Sequence, residues 1–383
     1  DVYKRQNYMD MSAITPSSMQ LNKLKWETTT EYNTGLDATF LKGKLRFTVD
    51  VYQKYVKDLL QPKVKMPTTI GYGNGYQISY MNSGKMTNKG WEFRVDAVPF
   101  QNKDWRVGVY FNIAHNENKI TEMPDNYIEE NYTFGNGNYA YRREEGRPMG
   151  SFYGYRYKGV YQNKDATYAR DIEGNVMKDI SGNAIVMRNG SYTVAPGDAI
   201  YEDVNHDGVI NQYDIVYLGN SNPRLTGGAG LNVSYKQFKL SAIFYGRYGQ
   251  DVVNATRLNN ESMRGIDNQS TAVLRRWRNE GDQTDIPRAL YGEGYNTLGS
   301  DRFVEDASYL RLKSLSFTYR LPKKAIQRWG FNNIDVYVTG YNLFTWTKYT
   351  GQDPEVKTEN TYARDTATTP ASIQLVAGFN LSF

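Results

Sequence analysis

Cysteine is absent from the 383 residues and histidine occurs only twice, which narrows the chemistry that the chain can perform. Without cysteine there is no disulfide scaffold, zinc–thiolate site or thiol catalysis. Two histidines argue against a His-rich metal site or a His-based catalytic system. The net charge of +5 is small and no dense run of Lys and Arg is present, so nothing indicates a nucleic-acid partner.

Long apolar segments are also missing. The mean hydropathy is -0.68, and no stretch of about 20 apolar residues exists, which excludes helical membrane spans. A membrane β-barrel remains open, because barrel strands are apolar on only one face. What the sequence has in excess is aromatic residues, at 14%, with 33 tyrosines. Tyrosine joins an apolar ring to a polar tip and favours half-exposed sheet surfaces.

Apolar and polar residues alternate over long segments, which is the signature of strands with one apolar and one wet face. Phe47, Val49 and Val51, for example, alternate with Thr48 and Asp50. Most of these segments form pairs joined by short turns, as in hairpins. The pattern predicts nine strands, at about residues 32–40, 45–51, 91–97, 105–113, 231–235, 238–244, 315–321, 334–338 and 373–383.

The connections between the predicted strands are strongly asymmetric. Turns within the pairs are short, whereas long segments rich in Asn, Gly, Tyr and charge separate the pairs, at residues 57–88, 117–226, 249–307 and 348–370. A compact soluble domain rarely contains several structureless loops of this length. An outer-membrane barrel combines short periplasmic turns with long external loops. The pattern therefore favours such a barrel over the alternative, a secreted β-sandwich with decorated loops.

The strand count and both chain ends predict the C-terminal part of a larger barrel. Bacterial single-chain barrels have even strand numbers, so nine strands cannot close alone. Residues 1–6 look like a translated sequencing adapter, which leaves residues 7–383 as a partial barrel without its N-terminal portion. The alternating segment that stops at Phe383 is expected to be the terminal strand. Parity then requires 117–226 to be one long extracellular excursion, or to contain an even number of additional spans. The first is predicted, with the strand-like run 152–161 in an external hairpin.

Several short motifs together resemble SusC/RagA-type TonB-dependent outer-membrane transporters, from about residue 21 to residue 383. The strongest matches are YLRLK at 309–313, VYVTGYNLFT at 336–345 and YTGQDPE at 349–355. Supporting matches are LKWE at 24–27, NKGWEF at 88–93, GRP at 146–148 and PGD at 196–198. Residues 163–194 depart from the pattern expected of the family and are interpreted as a lineage-specific insertion.

This resemblance implies an architecture and a function. Such transporters are 22-stranded outer-membrane barrels with a plugged lumen, driven by TonB through an N-terminal region that this sequence lacks. They pair with a SusD-like surface lipoprotein and import an oligosaccharide, or in some members a peptide, without altering it. On the residues alone, two other classes stay open: a secreted β-rich glycoside hydrolase that uses two carboxylates, and a non-catalytic glycan-binding module.

The alternation also predicts which side chains contact outer-membrane lipid. The expected outward-facing residues are Phe47, Val49, Phe93, Val95, Val107, Val109, Leu231, Val233, Leu240, Phe379 and Leu381. Their alternating neighbours are expected to face a lumen. Trp26, Trp91, Trp105 and Trp346 lie near predicted strand ends, where aromatic girdles of membrane proteins occur.

One loop carries explicit metal chemistry. Residues 203–214 have EF-hand spacing, with oxygen ligands at loop positions one, three, five, seven, nine and twelve and a glycine at six for the sharp turn. The candidate ligands of a structural Ca²⁺ are Asp203, Asn205, Asp207, Val209 (through its carbonyl), Asn211 and Asp214. The alternative is a turn without metal, because Asp, Asn and Gly dominate turns generally. No catalytic residue and no other cofactor is predicted.

Overall fold

The centre of the structure is a nine-stranded antiparallel sheet in which strands adjacent in sequence are adjacent in space. The structure is a computed structural model that describes residues 3–8, 11–16, 22, 24–65, 77–123, 138–140, 143–327, 330–359 and 362–383. The sheet strands, here β1 to β9, are Thr28–Phe40, Leu45–Lys57, Lys85–Gln101, Trp105–Glu122, Leu225–Tyr235, Phe238–Tyr248, Tyr309–Arg320, Asn333–Thr347 and Gln374–Ser382. The nine predicted strands and their antiparallel arrangement are confirmed.

Several strands extend well beyond their predicted ends. β3 has 17 residues and begins at Lys85, and β4 has 18 and ends at Glu122, so the expected end of one loop at residue 88 and the expected start of the next at residue 117 were wrong. Most of the additional residues are polar, and alternation of apolar side chains therefore could not reveal them. They pair through backbone hydrogen bonds and through cross-strand ion pairs such as Lys89–Glu117, at 3.0 Å, and Lys54–Glu31, at 3.3 Å.

Tight turns close the hairpins at one end of the sheet. Between β1 and β2 the chain forms a one-turn 3-10 helix, Leu41–Gly43, in which Lys42 and Gly43 have positive φ of 56° and 87°. Between β3 and β4 the side chain of Asn102 accepts hydrogen bonds from the backbone of Asp104 and Trp105, at 2.9 and 2.7 Å. Lys236, with φ of 50°, turns the chain from β5 into β6.

The strand register places the apolar side chains on one face of the whole sheet. One row of directly opposed residues crosses six strands: Val107, Val233, Leu240, Phe317, Val338 and Ala377. None of the residues predicted to face outward is buried; Phe379, for example, is 67% exposed. No described segment therefore packs over this face as a second layer, which argues against the β-sandwich. The common face of these residues is confirmed.

An aromatic row crosses the apolar face near the tight turns. Trp105 lies 4.3 Å from Tyr235 between ring centroids, and Phe238 lies 4.9 Å from Tyr319. Trp346 lies at the other end of the sheet, one residue before the end of β8. Trp91, in contrast, lies inside β3, because the polar extension of that strand continues past it.

The segments at the opposite end of the sheet are ordered and contain the buried core. Their strands and those of the small hairpins near the N-terminus are Tyr3–Tyr8, Met11–Pro16, Leu60–Lys65, Gln77–Asn82, Ser151–Gly154, Tyr157–Val160, Arg188–Asn189, Tyr192–Thr193, Ala199–Tyr201, Val216–Asn220, Asp251–Asn254, Val304–Asp306, Thr358–Glu359 and Tyr362–Asp365. Of the two short α-helices in the described residues, Ala255–Asn260 lies in these segments, whereas Lys323–Ile326 lies in the turn between β7 and β8. Among the residues described, no helix is long and apolar enough to cross a membrane.

The expectation of structureless long loops was therefore wrong. Phe152, Tyr153, Tyr155 and Ile210 are all less than 2% exposed, although they lie in the predicted excursion 117–226. The run 152–161 forms two short strands, and neither joins the nine-stranded sheet. Asp1 and Val2, part of the proposed adapter, lie outside the described residues; the strand Tyr3–Tyr8 pairs only with Met11–Pro16.

Candidate functional site

Two long segments of the chain fold together into one unit, here called the cap and comprising the described residues of 138–224 and 249–307. Its largest apolar cluster combines Tyr153, Tyr201 and Ile210 of the first segment with Tyr295 and Leu298 of the second. Backbone hydrogen bonds join the two segments directly, from Tyr155 to Gly299 and from Arg288 to Gly197, at 2.9 and 2.7 Å. The cap is therefore a folded rim at one end of the sheet rather than a set of independent loops.

A fully buried carboxylate, Asp198, holds the two cap segments together. Its oxygens accept hydrogen bonds from Arg288 Nε, from the Tyr192 hydroxyl and from the backbone of Ala195, at 2.7, 2.7 and 2.8 Å. Asn296 Nδ2 donates a further bond at 3.2 Å. A buried charge is tolerated when it is paired and hydrogen-bonded in this way. Hydrogen bonding to Asp198 raises the pKa of the already cationic Arg288.

The glycine before this carboxylate has a conformation and a neighbour that exclude a side chain. Gly197 has φ of +89°, and a Cβ built on it would lie 2.3 Å from the Trp277 ring. The Trp277 side chain is itself buried. Gly197 therefore brings the first cap segment into contact with the second, one residue before the Asp198–Arg288 ion pair.

Replacing Gly197 with alanine is expected to lower the stability of the cap by about 1–3 kcal/mol more than the matched change Gly174→Ala. Gly174 has a similar φ of +87° but open space around it, so it reports backbone strain alone. Hydrogen exchange of cap amides, with Trp277 fluorescence as the local signal, measures the difference. Equal effects of the two substitutions would show that the contact with Trp277 contributes nothing.

The predicted calcium loop is closed by its own hydrogen bonds. The Asp203 carboxylate accepts from the backbone N–H groups of Asp207 and Gly208, at 3.2 and 2.8 Å. Asp214 is buried and accepts from Val204 and Asn211, both at 2.8 Å. Within the described residues, no group of three or more His, Cys, Asp or Glu side chains converges on a point where a metal ion would fit. The arrangement is that of an Asx-rich turn.

The acidic side chains of this loop lie close enough to influence one another. Burial raises the pKa of Asp214, and the charges of Asp203 and Asp207 raise it further. The carbonyl oxygen of Val209 accepts a hydrogen bond from the Asn211 side chain, at 3.1 Å. The three carboxylates of the loop therefore repel one another, and loop N–H groups that donate to Asp203 and Asp214 partly offset this repulsion.

The second face of the sheet is polar and carries a repeated tyrosine–glycine arrangement. Tyr52 lies against Gly90, with its hydroxyl 2.6 Å from the position that a Cβ there would take. Tyr110 lies against Gly230 in the same way, and Tyr337 lies against Gly378. Glycine inside a strand marks a close approach of this kind. The rings therefore lie flat along the wall, and their hydroxyls and edges remain on the polar face.

Hydrogen bonds satisfy much of this polar face internally. The Thr48 hydroxyl donates to Asp37, and Tyr52 donates to Asn116, at 2.5 and 3.1 Å. Ser316 and Thr339 share a bond of 2.8 Å. Lys54 and Arg94 each sit 5.5 Å from a ring centroid, over Tyr52 and Tyr110 respectively. A wall of rings, amides, hydroxyls and paired charges can bind polar solutes without reacting with them.

The sequence predicted the two faces, but not the residues that join the cap. Asp198 belongs to one of the quoted motifs, and no pattern identified its function. Arg288 is 90 positions away in a polar segment, so no local signal connects them. The flat tyrosines could have been found from register alone, since each is opposed by glycine on the next strand.

An antiparallel meander with one polar face, one uncovered apolar face, tight turns at one end and long segments at the other defines the class: the wall of an outer-membrane β-barrel. Residues 2–343 match the family described as TonB dependent receptor-like, beta-barrel. The chain belongs to this family. Its members are outer-membrane receptors and transporters, not enzymes, so the hydrolase alternative does not hold.

Individual relatives agree with this assignment. TonB-dependent receptor P3 of Formosa agariphila is 31% identical over 366 residues, which cover 94% of this chain and 34% of that protein. TonB-dependent receptor SusC of Bacteroides thetaiotaomicron is 29% identical, over 97% of this chain and 33% of that protein. The solved structure of the RagAB peptide transporter contains a similar chain, with a TM-score of 0.74 and 28% identity, over 100% of this chain and 38% of that one. The SusC/RagA resemblance is confirmed.

The chain spans about a third of the length of the curated relatives it matches.

Proposed function

We propose that this chain forms nine strands of a 22-stranded TonB-dependent importer of the outer membrane, the strand number that such transporters have. The observation that carries the proposal is the sheet itself, whose outermost strands, β1 and β9, each pair on one side only within the part of the chain that the structure describes. An uncovered apolar edge of this kind invites aggregation unless other strands complete it. This chain matches only 34% of the length of TonB-dependent receptor P3, which supports the same interpretation.

The proposed cargo is an oligosaccharide, taken up together with a SusD-like surface lipoprotein and driven by TonB through a region outside this chain. Flat rings next to amides and hydroxyls on the polar face suit sugars, because rings stack on apolar sugar faces and amides bond hydroxyls. A peptide is the second candidate, favoured by the similarity to the RagAB peptide transporter. In both cases the cap would form the rim on which the lipoprotein docks.

Gene deletion in the source bacterium tests this function. Recovering the upstream DNA should reveal a plug and a TonB-binding segment, and the neighbouring DNA should encode the lipoprotein. The deletion strain is then grown on defined glycans and on defined peptides as sole nutrient, with the complemented strain as control. Loss of growth on a glycan supports the first candidate and loss on peptides the second. Unchanged growth and uptake on every nutrient that the parent uses would contradict import.

We further propose that residues 203–214 bind one structural Ca²⁺. Asp203 and Asp207 would exchange their bonds to loop N–H groups for the cation. Burial and the charges of Asp203 and Asp207 raise the pKa of Asp214, and the cation would offset both. Extracellular modules bind Ca²⁺ with dissociation constants on the order of 10⁻⁴–10⁻³ M. The cation would stabilise the rim, since loop ordering otherwise costs conformational entropy.

The double substitution Asp203→Asn with Asp207→Asn is expected to abolish calcium-dependent protection of the cap from protease. The matched control is Asp171→Asn with Asp179→Asn, because these aspartates make similar turns, each accepting from the N–H four residues ahead, at 2.8 and 2.9 Å. Calcium titration followed by limited proteolysis gives the readout. If calcium protects neither the parent protein nor the control, the loop is a plain turn.

A further inference from the structure

The apolar face of the sheet contains a groove near the cap. It has a volume of about 740 Å³ and lies where β4, β5, β6, β7 and β8 approach the long segments. Its floor is Gly227, Ala229 and Gly246, and its sides include Ile113, Leu310 and Trp346. A pocket of about 300–1,000 Å³ is large enough for a small organic ligand. The groove is therefore a candidate binding site on the outside of the wall.

The register explains why the groove exists. Ile113, Gly227, Gly246, Leu310 and Trp346 are directly opposed across five neighbouring strands. The two central positions have no side chain, while large side chains stand on both sides. A Cβ on Gly227 would lie 2.6 Å from the Asn112 carbonyl oxygen, and one on Gly246 would lie 2.7 Å from that of Tyr309. The depression is thus built into the strand pairing itself.

The groove is continuous with the surface that contacts membrane lipid. The groove belongs to the apolar face that also carries Val109 and Leu231. These two residues are opposed to each other two same-face rows further from the cap than Ile113 and Gly227. The end near the long segments is the external side of such barrels. Lys348, at the upper end of the groove, has no salt-bridge partner among the described residues. The nearby Asp306 is bound by the backbone of Ser308, at 2.8 Å.

We propose that this groove binds an acyl chain of a phosphorylated lipid from the outer leaflet, with the phosphate next to Lys348. The chain would lie over Gly227 and Gly246 between Ile113 and the Leu310–Trp346 wall. Apolar lining selects the hydrocarbon, and an exposed ammonium at the level of the lipid headgroup selects the phosphate. The inference rests on the proposed membrane barrel, because the apolar face must contact lipid for the site to fill.

Native mass spectrometry of the complete receptor that contains this chain tests the site. The protein is purified in mild detergent and titrated with lipid A, in phosphorylated and dephosphorylated forms. We expect one retained lipid, bound about tenfold more weakly in Ala229→Leu, as for roughly two methylene groups that lose their contacts. Ala97→Leu is the matched control, since Ala97 is opposed to Leu45 and Val109 on the same face and does not line the groove.

A second pair of measurements tests the contact between Lys348 and the lipid phosphate separately from the contacts of the acyl chain. Lys348→Ala should weaken binding of phosphorylated lipid A several-fold and leave binding of the dephosphorylated form unchanged. Heat-dependent migration in gels reports whether each variant forms a barrel. A parent protein that forms no barrel would overturn the proposed function instead. A folded barrel that retains lipid equally in Ala229→Leu and Ala97→Leu, or responds equally to both lipids in Lys348→Ala, would overturn the groove.

Discussion

Replacing Arg311 with methionine is expected to destabilise the junction between the sheet and the segment 349–357 by about 3–5 kcal/mol, the cost of removing one member of a buried ion pair. The Arg311 side chain is 3% exposed. Its guanidinium donates to Asp353, to Glu355 at 2.8 Å and to the Thr345 hydroxyl at 2.9 Å. Without the arginine, two partly buried carboxylates would be left close together, with Lys313 as the remaining cation beside Glu355.

The consequence extends to the last strand. Asp353 also accepts a hydrogen bond from the backbone of Ala371, at 2.9 Å, and this residue leads into β9. Losing Arg311 would therefore weaken the attachment of the segment before β9, which would keep the bond from the Asn342 side chain to the Ser372 carbonyl, at 3.1 Å, and the pairing of β9 with β8. Hydrogen exchange of residues 349–357 and 371–376, compared with that of β5 and β6, measures how far the release spreads.

Lys313→Met is the matched control. Lys313 also contacts Glu355, at 2.8 Å, but it is 31% exposed, and partly exposed ion pairs contribute about 0–1 kcal/mol. Arg311→Met combined with Asp353→Asn and Glu355→Gln should recover part of the loss, since no uncompensated charge then remains buried. If Arg311→Met were no more damaging than Lys313→Met, the network would be only a surface contact.

The predicted and the observed structure differ because the sequence patterns used for prediction are local, whereas part of the structure depends on contacts between distant residues. Alternation is local, so the pairs Phe47–Val95 and Val107–Val233 could be expected to share a face from periodicity and hairpin order alone. The polar ends of β3 and β4 carry no such alternation. Their pairing is stabilised by backbone bonds and by contacts such as Lys89–Glu117, which depend on strands already being aligned.

The cap could not be predicted for a different reason. Its core joins residues far apart in sequence, such as Tyr201 and Tyr295, whose rings are 5.3 Å apart. Each of the two segments alone has a polar and irregular sequence, and their shared aromatic cluster exists only where the two meet. The motif at 196–198 matches the family pattern, yet its physical function depends on Arg288 and Trp277 in the other segment.

Substituting arginine for Val109 is expected to cost about 2–4 kcal/mol of folding free energy in a lipid bilayer, as for a cation at the membrane midplane on the outer face of a barrel. Val109 is opposed to Ala97 and Leu231, in the middle of the apolar face. Reversible unfolding of the complete receptor by denaturant in lipid vesicles gives the free energy, and outer-membrane levels give the outcome in the cell.

Two further arginine variants distinguish the effect of the sheet face from the effect of the depth in the membrane. Asn232→Arg places the charge at a similar depth on the polar face, opposite Gly108 and Ser241, and should fold nearly as well as the parent protein. Val336→Arg lies on the apolar face, but in the aromatic row opposite Tyr319 and Phe379. A charge near the interface costs about 0–1 kcal/mol.

The pattern across the three variants carries more information than any one of them. Register shows that the sheet has two chemically different faces, but periodicity is symmetric and does not distinguish a lipid face from a buried one. A large penalty for Val109→Arg, with small penalties for Val336→Arg and Asn232→Arg, requires an apolar medium outside the apolar face. Its midplane must lie at the level of Val109 and its interface with water near Val336. A protein core would penalise Val336→Arg as strongly as Val109→Arg, and an aqueous surface would penalise none of the three.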